Sequence, residues 1–398
     1  MVILSNHTVL IIADDLTGAA DSTTAFARQG FWTRVIADAT DWSRSDIADY
    51  DVVAFNTETR NLPQSESTAI VVPLAKQLAA LNPRLILKKV DSTFRGQVLT
   101  ETLAISVELG LKRMVITSAH PTQKRTVSKG SVFVDGIPLR DTSYARQPSP
   151  PPIDIPLAVR EAFGDVLVFN GLSTSKLPEN PPVGVYLPDV SQDEDLTRIA
   201  RWIIAQGNSI LPVGSAGLAH AFARFLVPPI RARQKTQDTN SSDRQTVLFV
   251  IGSTQPEISG QIQMLKSTRK DVVVVDAANG SLSEEDIGLL DQAIIVVQIS
   301  RGTNLVTRKE AASNLAETTR QLMNKLPIAH LVTVGGDTSW SVLHRLGITG
   351  FDVSAQDLAG FPRGETTYNE HPLTFVAKPA GFSKSSVLAS MADALLPR

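Results

Sequence analysis

Short apolar runs alternate with amphipathic stretches along almost the whole chain. The runs fall at residues 8–13, 33–37, 51–55, 84–90, 113–118, 165–169, 246–251, 271–275, 293–299, 329–334 and 373–378. Several carry apolar residues at successive positions, as in Val272-Val273-Val274-Val275 and Ile294-Ile295-Val296-Val297. Strands of that kind are buried on both faces, which points to a parallel sheet covered by helices. Helical spacing occupies many of the gaps, at 66–81, 194–206, 216–226, 255–268, 308–325 and 338–346. The pattern predicts an α/β fold.

One stretch breaks this rhythm. Residues 228–245 open on Pro228-Pro229 and continue polar without an apolar period, as a linker does. A new strand begins directly after it at Thr246. Two domains are therefore expected, 1–230 and 246–398, joined by 231–245, each with a mostly parallel sheet flanked by helices. A chain of 398 residues is long enough for two cores. The proline-rich segments 148–152 and 178–182 read as loops inside the first domain.

Composition narrows the chemistry. A formal net charge of −2 makes no case for a nucleic-acid partner. The absence of cysteine excludes disulfides, thiolate metal sites and a cysteine nucleophile. The stretch from Met1 to His7 lacks the basic and long apolar regions of a signal peptide, and no apolar run approaches a membrane span, so a cytoplasmic protein is expected. His7, His120, His220, His330, His344 and His371 are scattered in sequence and read as surface or core residues, not metal ligands.

Chemistry concentrates at four strand ends. The run to Ala13 meets Asp14, Asp15, Leu16, Thr17 and Gly18, placing two carboxylates where an open α/β sheet binds ligands. Thr17 or Asp15 can cap the helix that follows, and Gly30 can end it. At the second end, Asp91, Ser92, Thr93, Phe94, Arg95 and Gly96 follow Lys88-Lys89-Val90. Arg95 offers a planar fork for a carboxylate or phosphate, or an ion pair with Asp91 that pins the turn. The third end is Gly252-Ser253-Thr254, with Pro256 in the first turn of a helix. The fourth is Gly335-Gly336-Asp337-Thr338, where paired glycines bare the backbone N–H groups of a helix start, a design suited to phosphate; a tight turn with an Asp cap is the alternative.

Familiar alternatives fail on the residues. No Gly-Lys dipeptide occurs, so there is no Walker A loop, and no Gly-x-Gly-x-x-Gly follows a strand. A haloacid-dehalogenase-type phosphatase would want Asp-x-Asp-x-Thr after its first strand, whereas here the two aspartates are adjacent.

Taken in order, Asp14-Asp15-Leu16-Thr17-Gly18-Ala19 with Asp21, then Lys89 to Gly96, Pro212 to Ala219, Gly252-Ser253-Thr254 and Gly335 to Thr338, resemble the four-carbon acid sugar kinase family. The resemblance runs over almost the whole chain. It implies an ATP-dependent kinase that phosphorylates a hydroxyl, at O4, of a sugar acid such as threonate, erythronate or an oxo-tetronate, with the active site in the cleft between the domains. It implies that Asp15 or Asp14 accepts the hydroxyl proton and that Asp91, Ser92, Arg95, Thr17 and Lys89 bind the acceptor, with Lys88 a further candidate for its carboxylate. Ser253, Gly335, Gly336, Asp337, Thr338 and Gly381 would bind ATP, accompanied by Mg²⁺. The expected partners are these small molecules, with a homo-oligomer possible and neither membrane nor nucleic acid involved. A non-catalytic sugar-acid and nucleotide-binding protein of the same fold is the alternative, and a phosphatase with an aspartate nucleophile, disfavoured by the adjacent aspartates, stands behind it. Near the end the chain departs from the family's Lys-x-Gly-Gly-Phe-Gly and reads Lys378-Pro379-Ala380-Gly381-Phe382-Ser383.

Overall fold

Parallel pairing dominates both halves of the chain, as the unbroken apolar runs require. The computed structural model describes residues 9–146, 150–229, 246–380 and 384–397. Two units, Met1–Ile230 and Arg231–Arg398, each hold their own set of contacts. The linker expected at 231–245, and Gly381 with the two residues after it, lie outside the described residues.

In the first unit the strands stand in the order Thr33–Ile36, Val52–Asn56, Val9–Ala13, Leu85–Lys89, Leu211–Gly214, Arg113–Thr117, Gly184–Pro188 and Val168–Leu172. Every neighbouring pair is parallel. Val9–Ala13 is buried at each position, which accounts for its lack of polar alternation. The chain leaves it for one edge through the helix Leu16–Ala27, then returns past it through Gln64–Ala79 to reach Leu85–Lys89. Right-handed crossovers running in opposite directions put those helices on opposite faces. Leu16–Ala27 accordingly packs with Ala216–Phe225, and Gln64–Ala79 with Val98–Glu108. Such a reversal opens a crevice at the carboxyl ends of Val9–Ala13 and its neighbours.

The second unit repeats the device. Val272–Ala278, Ile294–Ser300, Thr246–Ile251, Ile328–Val334 and His371–Lys378 pair in parallel. Arg363–Tyr368 and Gly350–Val353 extend the sheet antiparallel. Pro256–Thr268 carries the chain one way from Thr246–Ile251, and Arg308–Lys325 carries it the other way to Ile328–Val334. The first of these helices packs with Val387–Leu395, the second with Gly336–Leu346. The reversal falls between Thr246–Ile251 and Ile328–Val334. A core of Phe249, Ile258, Leu265, Val332, Val376, Leu388 and Met391 underlies it.

Several elements escape the apolar pattern. Gly184–Pro188 and Leu211–Gly214 are short and carry proline, which weakens a strand signal, yet both are fully buried in parallel pairs. A small antiparallel sheet of Arg125–Ser128, Ser131–Val134 and Ile137–Pro138 branches from the first unit. Among the described residues no helix is long and apolar enough to cross a membrane.

Candidate active site

Asp14 and Asp15 follow the central strand of the first unit, and the fold uses them differently. Asp15 has extended backbone and caps the helix Leu16–Ala27, its Oδ1 accepting from the Gly18 amide at 3.2 Å. The cap is therefore Asp15, not Thr17, which stands half-buried in the first turn. Asp14 is 2 % exposed and faces Arg60. The Arg60 Nε donates to Asp14 Oδ2 at 2.9 Å and its Nη2 to Asp14 Oδ1 at 2.8 Å. The same Nη2 donates to Asp15 Oδ1 at 2.6 Å, and Nη1 lies 3.8 Å from Asp91 Oδ1. One guanidinium thus ties three carboxylates from two strand ends, a task for which its planar fork is suited.

Arg60 was not legible as a site residue in the sequence. It arrives on the loop after Val52–Asn56, in no motif, and sits beside the first strand only because Val52–Asn56 pairs with Val9–Ala13. The Arg60 amide also donates to the Asp14 carbonyl at 3.3 Å.

The turn at Asp91 takes the ion-paired form. Arg95 Nε donates to Asp91 Oδ2 at 2.9 Å and Nη2 to Oδ1 at 2.8 Å, while the Thr93 amide and hydroxyl also donate to Oδ2. Ser92 stands half-buried beside them. Phe94 is buried at φ 61°, a left-handed conformation that a bulky residue keeps only under constraint. Gly96, at φ 89°, leaves room that a Cβ would take, 3.2 Å from Arg60 Cγ and 3.3 Å from Asp14 Oδ2.

Neighbouring lysines on Leu85–Lys89 point to opposite faces. Lys88 is fully buried with its Nζ 2.5 Å from Glu101 Oε2, and Glu101 Oε1 accepts from the Ser67 hydroxyl at 2.7 Å. This corrects the expectation that Lys88 contacts a substrate carboxylate, because its charge is already matched in the interior. Lys89 lies on the site side. Its Nζ stands 2.5 Å from where a Cβ on Gly18 would be, and Asp15 Oδ1 stands 2.4 Å from the same point. Gly18 is a glycine because two charged groups occupy its side-chain position. Lys89 makes no ion pair within 4.0 Å among the described residues.

Burial works against every charge here, yet the partners prevail. Burial raises the Asp14 carboxyl, but Arg60, Lys88 and Lys89 together hold it below the usual carboxylate range. Asp91 is held far below that range by Arg60 and Arg95 against the same penalty. Arg60 is raised well above its ordinary value despite its own desolvation, through Asp14, Asp15 and Asp91.

Two histidines that are distant in sequence meet at the same sheet edge. The His120 and His220 rings lie edge to face, 5.3 Å apart, and His220 Nε2 is 3.6 Å from Asp21 Oδ1. Burial, with His220 adding to it, brings His120 down to about 4, so it is neutral at physiological pH. Among the described residues no group of three or more His, Asp or Glu is placed to hold a metal ion.

In the second unit the two glycine-bearing turns meet. Gly252 follows Thr246–Ile251 and its amide donates to the Val334 carbonyl at 3.2 Å. A Cβ on Gly252 would lie 1.9 Å from Thr338 Oγ1, so only glycine lets these turns close. Gly335, at φ 113°, begins the helix Gly336–Leu346, and among the described residues no side chain caps its first amides. Ser339 Oγ donates to the Gly335 carbonyl and shares a hydrogen bond with Thr333, which fixes the turn. Asp337 is exposed and Thr338 buried. Ser253 Oγ accepts from the Gln255 amide at 3.3 Å and is half-buried. Uncapped amides, a glycine cradle and a sheet reversal are what an anionic ligand such as a phosphate requires.

Comparison with known proteins matches this division. A family model described as a sugar-binding N-terminal domain matches residues 9–222, and one described as a nucleotide-binding C-terminal domain matches 248–384. A D-threonate kinase of Salmonella typhimurium is 28 % identical over 96 % of each chain. A D-threonate kinase of Bordetella bronchiseptica is 27 % identical, covering 98 % of this chain and 97 % of its own. A D-erythronate kinase of Heliobacterium modesticaldum is 25 % identical over 87 % of each chain. Solved structures from Salmonella typhimurium LT2 (TM-score 0.74, 20 % identity, 96 % of this chain and 98 % of that one) and Haemophilus influenzae (0.73, 21 %, 97 % and 100 %) share the fold. With family models of a sugar-binding and a nucleotide-binding domain matching its two halves and kinases as relatives along nearly its whole length, the chain belongs to the four-carbon acid sugar kinase family.

Proposed function

We propose that this kinase transfers the γ-phosphoryl group of ATP to the O4 hydroxyl of a four-carbon sugar acid of the threonate type, with Asp15 as the proton acceptor. One observation carries the assignment to Asp15: its Oδ1 is engaged by Arg60 and the Gly18 amide, whereas Oδ2 has no partner among the described residues. Asp14 has both oxygens bound to Arg60 and is the fixed member of the pair.

Lys89, buried and without an acidic partner within 4.0 Å among the described residues, supplies the cation for the substrate carboxylate. Thr17, Ser92 and Arg95 border the same crevice, with Asp91 holding Arg95 in place. Arg60 orients both aspartates and holds Asp14 ionised, which leaves Asp15 as the member of the pair to take a proton late in the transfer. Phosphoryl transfer asks mainly for positioning and charge stabilisation, and this rigid set of ion pairs provides the first.

The second unit fits ATP. Gly252, Gly335 and Gly336 clear side chains from the strand ends, and the amides at the start of Gly336–Leu346 are open to phosphate oxygens. Ser253 and Thr338 add hydroxyls, and Asp337 is the carboxylate that would accompany Mg²⁺, an ion that usually keeps several waters and binds few protein groups. ATP with Mg²⁺ supplies the phosphoryl group and neutralises its developing charge.

The preference for threonate rests on the D-threonate kinases among the full-length relatives. A coupled ADP-release screen over D- and L-threonate, D- and L-erythronate and the oxo-tetronates tests it. Threonate turnover that exceeds the others in kcat/KM is the expected result. Preference for an oxo-tetronate would overturn the substrate, and ATP binding without ADP release from any acid would favour the non-catalytic alternative.

A further inference from the structure

Lys378 ends the strand His371–Lys378 and its side chain is fully buried. It has no acidic partner within ion-pair distance among the described residues. Its Nζ donates to the Pro379 carbonyl at 3.0 Å and lies 5.8 Å above the Phe361 ring. An ammonium has three donors, and among the described residues one backbone carbonyl and an aromatic face are its counterparts. A buried charge is ordinarily paired, because leaving it unpaired is costly. The other fully buried lysine among the described residues, Lys88, follows that rule by facing Glu101. Lys378 is the exception, and burial alone lowers it to about 8, so the cationic form still predominates at neutral pH.

Its place in the fold says what the charge is for. The strand pairs with Ile328–Val334, and the Lys378 carbonyl accepts from the Gly335 amide at 2.8 Å. The lysine backbone is therefore bonded to the residue that opens the glycine cradle. Lys378 shares a strand face with Val376, a member of the core beneath Pro256–Thr268, which is the helix that follows Gly252-Ser253-Thr254. A four-carbon stem reaching along that face brings an unmatched cation to the carboxyl edge of the sheet, where the uncapped amides of Gly336–Leu346 also lie.

We propose that Lys378 is a phosphate-binding residue of the nucleotide site, kept without a counter-ion in the protein because the polyphosphate of ATP is its counter-ion. The inference rests on the nucleotide reading of the second unit and adds to it a specific cation. Bound ATP would replace the Pro379 carbonyl or share the ammonium with it. Such a residue costs stability in the empty protein and returns it on binding, which a lysine kept for packing does not do.

The test is calorimetric titration of the full chain with ATP, ADP and adenosine, with thermal unfolding of the ligand-free protein alongside. Lys378→Met keeps the length and apolar stem. It should bind ATP at least tenfold more weakly, bind adenosine within twofold of wild type, and unfold without ligand at the same or a higher temperature. Lys378→Gln, a polar control, should weaken ATP in the same way. Unchanged ATP affinity in Lys378→Met, with wild type binding normally, would overturn the role of Lys378 while leaving the nucleotide reading intact. Equal loss of ATP and adenosine affinity, or loss of cooperative unfolding in both variants, would also overturn it by making Lys378 a structural residue. Wild-type protein that binds no ATP would instead overturn the nucleotide reading, and the inference with it.

Discussion

Arg60 grips Asp14 through two parallel hydrogen bonds, Nε to Oδ2 at 2.9 Å and Nη2 to Oδ1 at 2.8 Å, and extends that same Nη2 to Asp15 at 2.6 Å. Two adjacent aspartates of identical chemistry are thereby set apart. Asp14 is buried with both oxygens engaged by Arg60, while Asp15 Oδ2 has no partner among the described residues.

Asp15→Asn separates catalysis from folding. Asparagine caps a helix about as well as aspartate, so stability should stay within about 1 kcal/mol of wild type. Removing a positioned proton acceptor should lower turnover by roughly 10² to 10⁴-fold. Affinity for ATP should be preserved. Coupled ADP release, with urea unfolding as the control, checks both halves, and near-full turnover would move the proton-accepting role to Asp14 or Asp91.

Arg60→Met should be the more damaging change. It leaves three carboxylates facing one another without their shared cation, and breaking a buried ion pair from one side costs about 3–5 kcal/mol. The pH dependence has a definite sign. Asp14 and Asp91 have folded values below those of the unfolded chain, so their contribution is complete above the ordinary carboxylate range and is lost as pH falls through the folded values. In Arg60→Met the burial penalty on Asp14 loses its strongest counterweight, its carboxyl shifts up, and that group's contribution shrinks. Urea unfolding between pH 5 and 2 should show wild type losing stability on acidification more steeply than the variant.

Glu101→Gln tests whether Lys88 belongs to the interior and not to substrate. The substitution strands a fully buried ammonium and should destabilise the fold by about 3–5 kcal/mol. KM for the acceptor in the folded fraction should remain near wild type. A KM increase of tenfold or more without loss of stability would return Lys88 to the substrate site.

How much of this was legible beforehand follows from what each residue depends on. Asp15, Gly18, Asp91 and Gly335 sit at strand-to-helix junctions, where local sequence alone signals a cap, a turn or an exposed edge. Unbroken runs such as Val272 to Val275 announced parallel strands because burial on both faces leaves its mark in composition. Arg60 left no mark, since its role arises from the pairing of Val52–Asn56 with Val9–Ala13, a contact over 43 residues of chain from Val9 to Val52. His120 and His220 likewise meet only through the fold, which brings their rings to 5.3 Å. Lys88 was misplaced because two consecutive lysines look alike in sequence, and only the pleat of the strand assigns one to Glu101 and the other to the crevice.

Gly252 and Thr338 give a prediction with an internal rescue. Gly252→Ala would set a methyl group 1.9 Å from Thr338 Oγ1 and 3.0 Å from its Cβ, an overlap that must push the two turns apart. Overpacking of this kind costs about 1–3 kcal/mol, and here it should also spread the phosphate cradle and weaken ATP binding by tenfold or more. Thr338→Ala alone removes the hydroxyl and the Cγ2 methyl and should cost much less. In the double variant the hydroxyl that clashes is gone, so part of the lost stability and affinity should return. The signature is a coupling of about 1 kcal/mol or more between contacting residues, measured by a double-mutant cycle in urea unfolding and in ATP titration. Strict additivity would mean that the turns yield elsewhere, and that their close approach does not shape the nucleotide site.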